Sequence, residues 1–139
     1  MEKCIFCQII SHQVLSKVIW ENESVLVILD TAQNVDYHLL VMPKKHVATL
    51  LDCDQDTLLQ LILAIQKVGN RCIEKGFSGL NVLSASGTPA GQSVPHLHFH
   101  LILRKAGDGI DAWPKFNGST VSLEDEYSVL KFSDRSENS

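Results

Sequence analysis

A chain of 139 residues is long enough to bury one proper core and too short for two comfortable domains. Hydrophobic content of 45% with 20% charged residues describes an ordinary globular protein, and a net charge of −4 gives no general attraction to nucleic acid or an anionic membrane. No charged leader ahead of an apolar segment opens the sequence, and the longest apolar run, near residues 58–65, is far short of a membrane span. A cytoplasmic protein without a membrane or nucleic-acid partner is therefore expected. Its four cysteines read as thiols or ligands in place of disulfides.

In chain order, residues 4–10 form a short helix or turn with one apolar side. Strand-like runs follow at 17–21 and 24–30, separated by the turn Asn22-Glu23, and a third spans 38–43, where Pro43 cannot donate to a ladder. A long helix is expected from Asp54 to Lys75. Asp54 is a good N-cap, Leu58, Leu61, Ile62, Ile65, Val68 and Cys72 recur at helical spacing, and Gly76 suits the left-handed C′ position. Residues 80–84 read as a strand, 86–92 as a glycine-containing loop and 95–103 as a last strand. After Arg104 the pattern weakens: Trp113-Pro114 is an isolated apolar pair in a polar loop, and residues 133–139 are expected to be a disordered tail after a single domain over 1–132. There is no internal repeat. Several strands with one long and one short helix argue for an α+β fold, mostly antiparallel.

The most informative feature is His96-Leu97-His98-Phe99-His100-Leu101-Ile102. A period of two sends the three imidazoles to one face and Leu97, Phe99 and Leu101 to the other, which belongs to a core. Gly91-Gln92-Ser93-Val94-Pro95 just upstream is rich in turn formers and donors able to hold an anion near the rings. A neutral imidazole is both a nucleophile and a metal ligand, so either use fits such a face, as does an exposed strand that merely carries histidines. Cys4-x-x-Cys7 alone is compatible with redox chemistry, zinc or neither. Cys53 lacks a partner pattern, and Cys72 falls on the buried helix stripe.

The histidine run closely resembles the signature of the histidine triad (HIT) superfamily, His-φ-His-φ-His-φ-φ with φ apolar, and fits it at every position of 96–102. Cys4-Ile5-Phe6-Cys7 is similar to that family's opening segment, Leu29-Asp30 to its ribose-binding strand end, and Val41-Met42-Pro43-Lys44-Lys45-His46 to its VIPKxH segment. Gly91-Gln92-Ser93-Val94 resembles the GQSV lead-in of the Hint branch, and order and spacing hold over roughly residues 4–114. The resemblance implies a five-stranded antiparallel sheet with one long and one short helix, usually paired into a homodimer.

It further implies that His98 attacks the α-phosphorus of a purine nucleotide such as an AMP or GMP derivative, forming a nucleotidyl-histidine that water hydrolyses. His100, Ser93, Gln92 and backbone N–H groups of 91–93 would surround the phosphoryl charge, and Asp30 would take the ribose hydroxyls. Ile5, Phe6, Ile9, Val14 and Ile28 match positions that sandwich the purine, with ordinary core packing the alternative for Ile9 and Ile28. Trp113 resembles a tryptophan that reaches over the partner subunit's site; intrachain packing is its alternative. A zinc-containing subset of the family ligates the ion through residues matching Cys4, Cys7, His46 and His96.

The activity implied is that of a nucleotide phosphoramidase or nucleotidyl hydrolase. A diadenosine polyphosphate hydrolase and a zinc-stabilised nucleotide-binding protein with incidental catalysis are the rivals. Transferases of the superfamily tend to use glutamine at the third triad position, where this chain has His100. Departures from the family pattern are Tyr37 before His38, Thr31-Ala32-Gln33-Asn34 in place of a proline-containing stretch, Ala85 flanked by serines where an asparagine is common, and Pro95. They bear on leaving-group preference and leave the nucleophile intact.

Overall fold

The computed structural model describes residues 4–133. Helix α1 (Ile5–Ile10) starts at Cys4, whose thiol accepts the Cys7 backbone N–H at 3.3 Å. Strands β1 (Val18–Glu21), β2 (Val25–Leu29) and β3 (His38–Pro43) follow, then helix α2 (Gln55–Glu74). Strand β4 (Gly79–Leu83), a single 3₁₀ turn at Thr88–Ala90, strand β5 (Phe99–Arg104) and helix α3 (Leu123–Leu130) complete the chain. All five strands form one antiparallel sheet in the order β1-β2-β3-β5-β4, the architecture expected from the sequence.

β2 (Val-Leu-Val-Ile-Leu) is apolar throughout because both its faces are covered, as is β3 beyond His38. On one face α2 inserts Leu61, Ala64, Ile65 and Val68 against Val25, Val27, Leu39, Val41, Leu97, Phe99 and Leu101. On the other, Cys4 and Phe6 of the α1 segment pack on Leu26, Ile28, Leu40 and Met42. Each fully buried aliphatic side chain contributes roughly 1.5–3 kcal/mol. The sheet thus divides the histidine run as the alternation predicts: Leu97, Phe99 and Leu101 go to the α2 core, and the imidazoles to the α1 face.

The last strand differs from its expected span. Pairing with β3 begins at Phe99 opposite Val41, and His96 and His98 lie in a bent lead-in ahead of the ladder. β3 ends at Pro43 and the chain bends away, so the Leu97 N–H donates to the Val47 carbonyl instead, at 2.8 Å. A second difference is α3, a helix in the stretch after Arg104 where the sequence pattern weakens and no element was expected. Its signals were local: Ser122 caps the Asp125 N–H, and Glu124, Asp125 and Glu126 fill the first turn. It buries none of its residues, so no core stripe announced it. The expected tail, residues 133–139, lies outside the described residues apart from Ser133.

Candidate active site and metal cluster

The histidine run is best followed ring by ring, because the second nitrogen of each ring decides what the first can do. His96 is fully buried, and its Nε2 donates to the Pro43 carbonyl at 2.8 Å. A carbonyl only accepts, so the proton is on Nε2 and Nδ1 is bare. Burial lowers the ring's basicity and keeps it neutral. Nδ1 faces Cys4 Sγ at 3.4 Å and Cys7 Sγ at 3.6 Å, while His46 Nδ1 lies 3.2 Å from Cys7 Sγ. The four ligand atoms lie within 4.8 Å of one another. A tetrahedral zinc site with Zn–S near 2.3 Å and Zn–N near 2.0–2.1 Å sets ligand atoms about 3.3–3.8 Å apart, so these side chains fit such an ion. Burial, then the Cys4 thiol, pushes the Cys7 thiol up to about 11.

His98 uses the other nitrogen. Its Nδ1 donates to the His96 carbonyl at 2.7 Å, which leaves the Nε2 lone pair free. The Ser84 hydroxyl donates to the His98 carbonyl at 2.9 Å and holds that peptide in place. The ring is buried, with the Phe6 ring edge-on at 4.9 Å. His100 lies beyond it, the ring centres 4.9 Å apart. Burial, then His98 and His38, depress the His100 pKa to about 4, so its ring carries a single proton at neutral pH.

His38 is the site residue that the sequence reading passed over. Its Nε2 is 2.8 Å from His100 Nδ1, and its Nδ1 is 2.9 Å from Asp30 Oδ2. The signal was present: a histidine opening the strand that pairs with β5, two residues from Leu40, the residue opposite His100. Just before it Tyr37 takes a left-handed φ of 55°, a conformation uncommon for any residue but glycine. Its ring packs edge-on against Phe77 at 4.7 Å, and its carbonyl accepts the Leu103 N–H at 3.1 Å.

A slot of about 260 Å³ adjoins this array and is lined by Ile5, Phe6, Ile9, Val14, Ile28 and Asp30. Every residue matched to the purine site from sequence is therefore in one cleft with the expected ribose carboxylate. A larger cleft of about 570 Å³, between Trp20 and the Lys67 and Arg71 end of α2, holds none of the histidines.

The lead-in loop is arranged differently from its sequence reading. Gln92 accepts from the Gly87 N–H at 2.8 Å and donates to the Ala48 and Val94 carbonyls at 2.7 and 3.0 Å. Both its N–H bonds are thus spent on bracing the loop. The Gly91 and Gln92 backbone N–H groups close the turn onto Thr88 and Gly87, and Gly91 has the φ of 94° that favours glycine. Of the expected donors in 91–93, Ser93 keeps its N–H and hydroxyl without an acceptor among the described residues. Trp113 is 73% exposed and meets the Phe116 ring, so its own chain's core does not explain it.

Residues 11–107 match the model of the HIT domain. The chain belongs to the HIT family. A HIT-like protein of Methanocaldococcus jannaschii is 41% identical over 106 residues, covering 76% of this chain and 82% of that protein. An adenosine 5′-monophosphoramidase of Schizosaccharomyces pombe is 31% identical over 116 residues, covering 81% and 84%. Among solved structures, a zinc-bound histidine triad protein of Mycobacterium smegmatis is similar at TM-score 0.75 and 31% identity, covering 80% of this chain and 81% of that one. This HIT protein is an enzyme of the hydrolase class, and no helix among its described residues is long and apolar enough to cross a membrane.

Proposed function

We propose that this HIT hydrolase cleaves purine nucleoside phosphoramidates and related phosphate esters at the α-phosphorus. One observation carries the reading: His98 donates from Nδ1 to the His96 carbonyl, which turns its other ring nitrogen, Nε2, to the side of His100 and the base slot. In the first step Nε2 forms a bond to phosphorus as the bond to the leaving amine or alcohol breaks, and the leaving group takes up a proton. In the second, water attacks the same phosphorus, releasing the nucleoside monophosphate and restoring His98. His100 and the free Ser93 donors stabilise the charge on the equatorial oxygens. Asp30 binds the ribose, and Ile5, Phe6, Ile9, Val14 and Ile28 hold the base. The name of the yeast relative supports the phosphoramidate reading.

In this proposal zinc binds Cys4, Cys7, His46 and His96 and acts as a structural clamp. It ties α1, which carries Ile5 and Phe6 of the slot, to the residue whose carbonyl orients His98. The partner is a second copy of the chain. Leu59, Ile62 and Leu63 form an exposed apolar stripe on α2, and Val82 is exposed on edge strand β4, so a two-fold pairing would cover both. A cytoplasmic location accords with four free thiols.

The test is to mix the protein with an adenosine phosphoramidate, quench within milliseconds and look for adenylylated His98 by mass spectrometry. An acid-labile adduct on that peptide is expected. Turnover without an adduct on His98 would reject the covalent route, and faster turnover of diadenosine polyphosphates than of phosphoramidates would reject the substrate class.

A further inference from the structure

We propose that Ser84 is a positioning residue for the nucleophile: its hydroxyl anchors the His98 peptide to the sheet and so sets the rate of the first chemical step. The inference rests on the hydrolase reading for its purpose, while the contact itself is independent of that reading.

His98 lies where the sheet gives its backbone no ladder. Pairing with β3 starts one residue later, at Phe99 opposite Val41, and β4 ends at Leu83, opposite His100. The register that sets Leu83 against His100 would set Ala85 against His98, but β4 stops before reaching it. A partly buried carbonyl then needs a donor from elsewhere. Ser84, the first residue past β4, supplies it from its side chain: Oγ donates to the His98 carbonyl at 2.9 Å. The hydroxyl thus extends the contact between β4 and β5 by one bond, onto the residue that carries the nucleophile.

The other tethers of the run act elsewhere. His96 is held to the Pro43 carbonyl at 2.8 Å and Leu97 to the Val47 carbonyl at 2.8 Å, so both tie the run to β3 and the segment after it. The His98 ring is held by the His96 carbonyl at 2.7 Å, a bond within the run that orients the imidazole relative to its own backbone. The Phe6 and His100 rings flank the imidazole at 4.9 Å, contacts that lack the direction of a hydrogen bond. Ser84 is the tether from the β4 side, and it acts on the peptide of His98 itself. In-line attack requires Nε2 to stand about 3–3.5 Å from phosphorus, and a misplacement of about 1 Å can cost roughly 10²-fold in rate. Without Ser84 the peptide after His98 can rotate, which draws the ring off the His96 carbonyl and Nε2 off that line. Ser84 does not line the base slot, so ribose and base binding are left intact.

The experiment compares Ser84→Ala with Ser84→Thr, which keeps the hydroxyl. The single-turnover rate of His98 adenylylation by an adenosine phosphoramidate should fall roughly 10- to 10²-fold in Ser84→Ala and recover most of that loss in Ser84→Thr. AMP affinity by calorimetry and zinc content should match the wild type. Two-bond ¹H–¹⁵N spectroscopy of the histidine rings adds a readout that needs no turnover. His98 should show a single tautomer, protonated on Nδ1, in the wild type and in Ser84→Thr, and averaged Nδ1 and Nε2 signals in Ser84→Ala. Should the added methyl of Ser84→Thr not be accommodated, Ser84→Cys, close in shape with a weak donor, should fall between the wild type and Ser84→Ala. In an active enzyme, an adenylylation rate unchanged in Ser84→Ala would overturn the proposal. So would a rate lost together with AMP affinity or zinc, the mark of a general loosening. A single His98 tautomer in Ser84→Ala would overturn it whether or not the enzyme is active. A protein that forms no adduct, but whose His98 averages its tautomers in Ser84→Ala, would overturn the hydrolase reading and uphold the anchoring.

Discussion

Two ends of one short histidine run have been put to opposite uses. His96 donates from Nε2 to the Pro43 carbonyl and turns Nδ1 to two thiols and a second imidazole. His98, two residues on, donates from Nδ1 to the His96 carbonyl and keeps Nε2 bare. His100 shares its Nδ1 with another ring backed by a carboxylate. Residue type, spacing and face are the same throughout, so what would distinguish a ligand, a nucleophile and a donor in the proposed mechanism is the partner of the second nitrogen. Those partners differ in origin: Pro43 at the end of β3, the backbone of the run itself, and His38 with Asp30.

The comparison breaks most sharply at the nucleophile. His98→Ala should lower kcat/KM for an adenosine phosphoramidate by about 10⁴-fold or more and abolish the covalent adduct, while AMP binding by calorimetry survives through Asp30 and the slot. A loss of less than tenfold would assign the chemistry elsewhere.

At the sulfur end the effect should fall on stability first. Elemental analysis should find one zinc per chain, and Cys7→Ser should lose it along with several kcal/mol, roughly 10 °C in Tm. Activity should decline as the α1 segment loosens, and added substrate should not restore the metal. Full thermal stability in metal-free protein would reject the clamp.

pH sharpens the carboxylate end. The folded pKa of His100 lies below that of an unfolded histidine, so between about 4 and 6.5 the unfolded chain binds more protons. Its contribution to stability is present in full above that window and is lost as pH falls through it. The Tm should drop on going from pH 7 to pH 5, and His100→Gln should reduce the drop. An equal drop in the variant would place the titration in other groups.

The smallest effect belongs to the periphery. Trp113→Ala should change the ranking of leaving groups several-fold while Tm stays within a degree or two, since an exposed side chain contributes little to the core. Sedimentation should show a dimer at micromolar concentration. A monomer, or a variant of unchanged specificity, would remove the partner-site role.

Much of this molecule was legible in its residues. The apolar periodicity of α2 and the alternation of the histidine run are local patterns read directly by burial, and they placed the helix, the sheet faces and the side of the imidazoles. The cysteine pair and the two distant histidines belong to matched segments, and the fold does bring their ligand atoms together. Helix α3 was missed because it buries nothing, and periodicity reports a helix only when one face is hidden. Gln92 was read as a phosphate donor, whereas its amide is consumed by Gly87, Ala48 and Val94, two of them residues of the same loop and one far away in the chain. In the sequence His38 was noted only for the Tyr37 before it, and was given no role. Its place in the site comes from a register that sets it diagonally across from His100, and from Asp30, which directly follows the end of β2. Sequence determines which rings share a face, because backbone period is local. Only the tertiary structure decides what the second nitrogen of His96 and of His100 meets, because Pro43 and His38 are supplied by another strand.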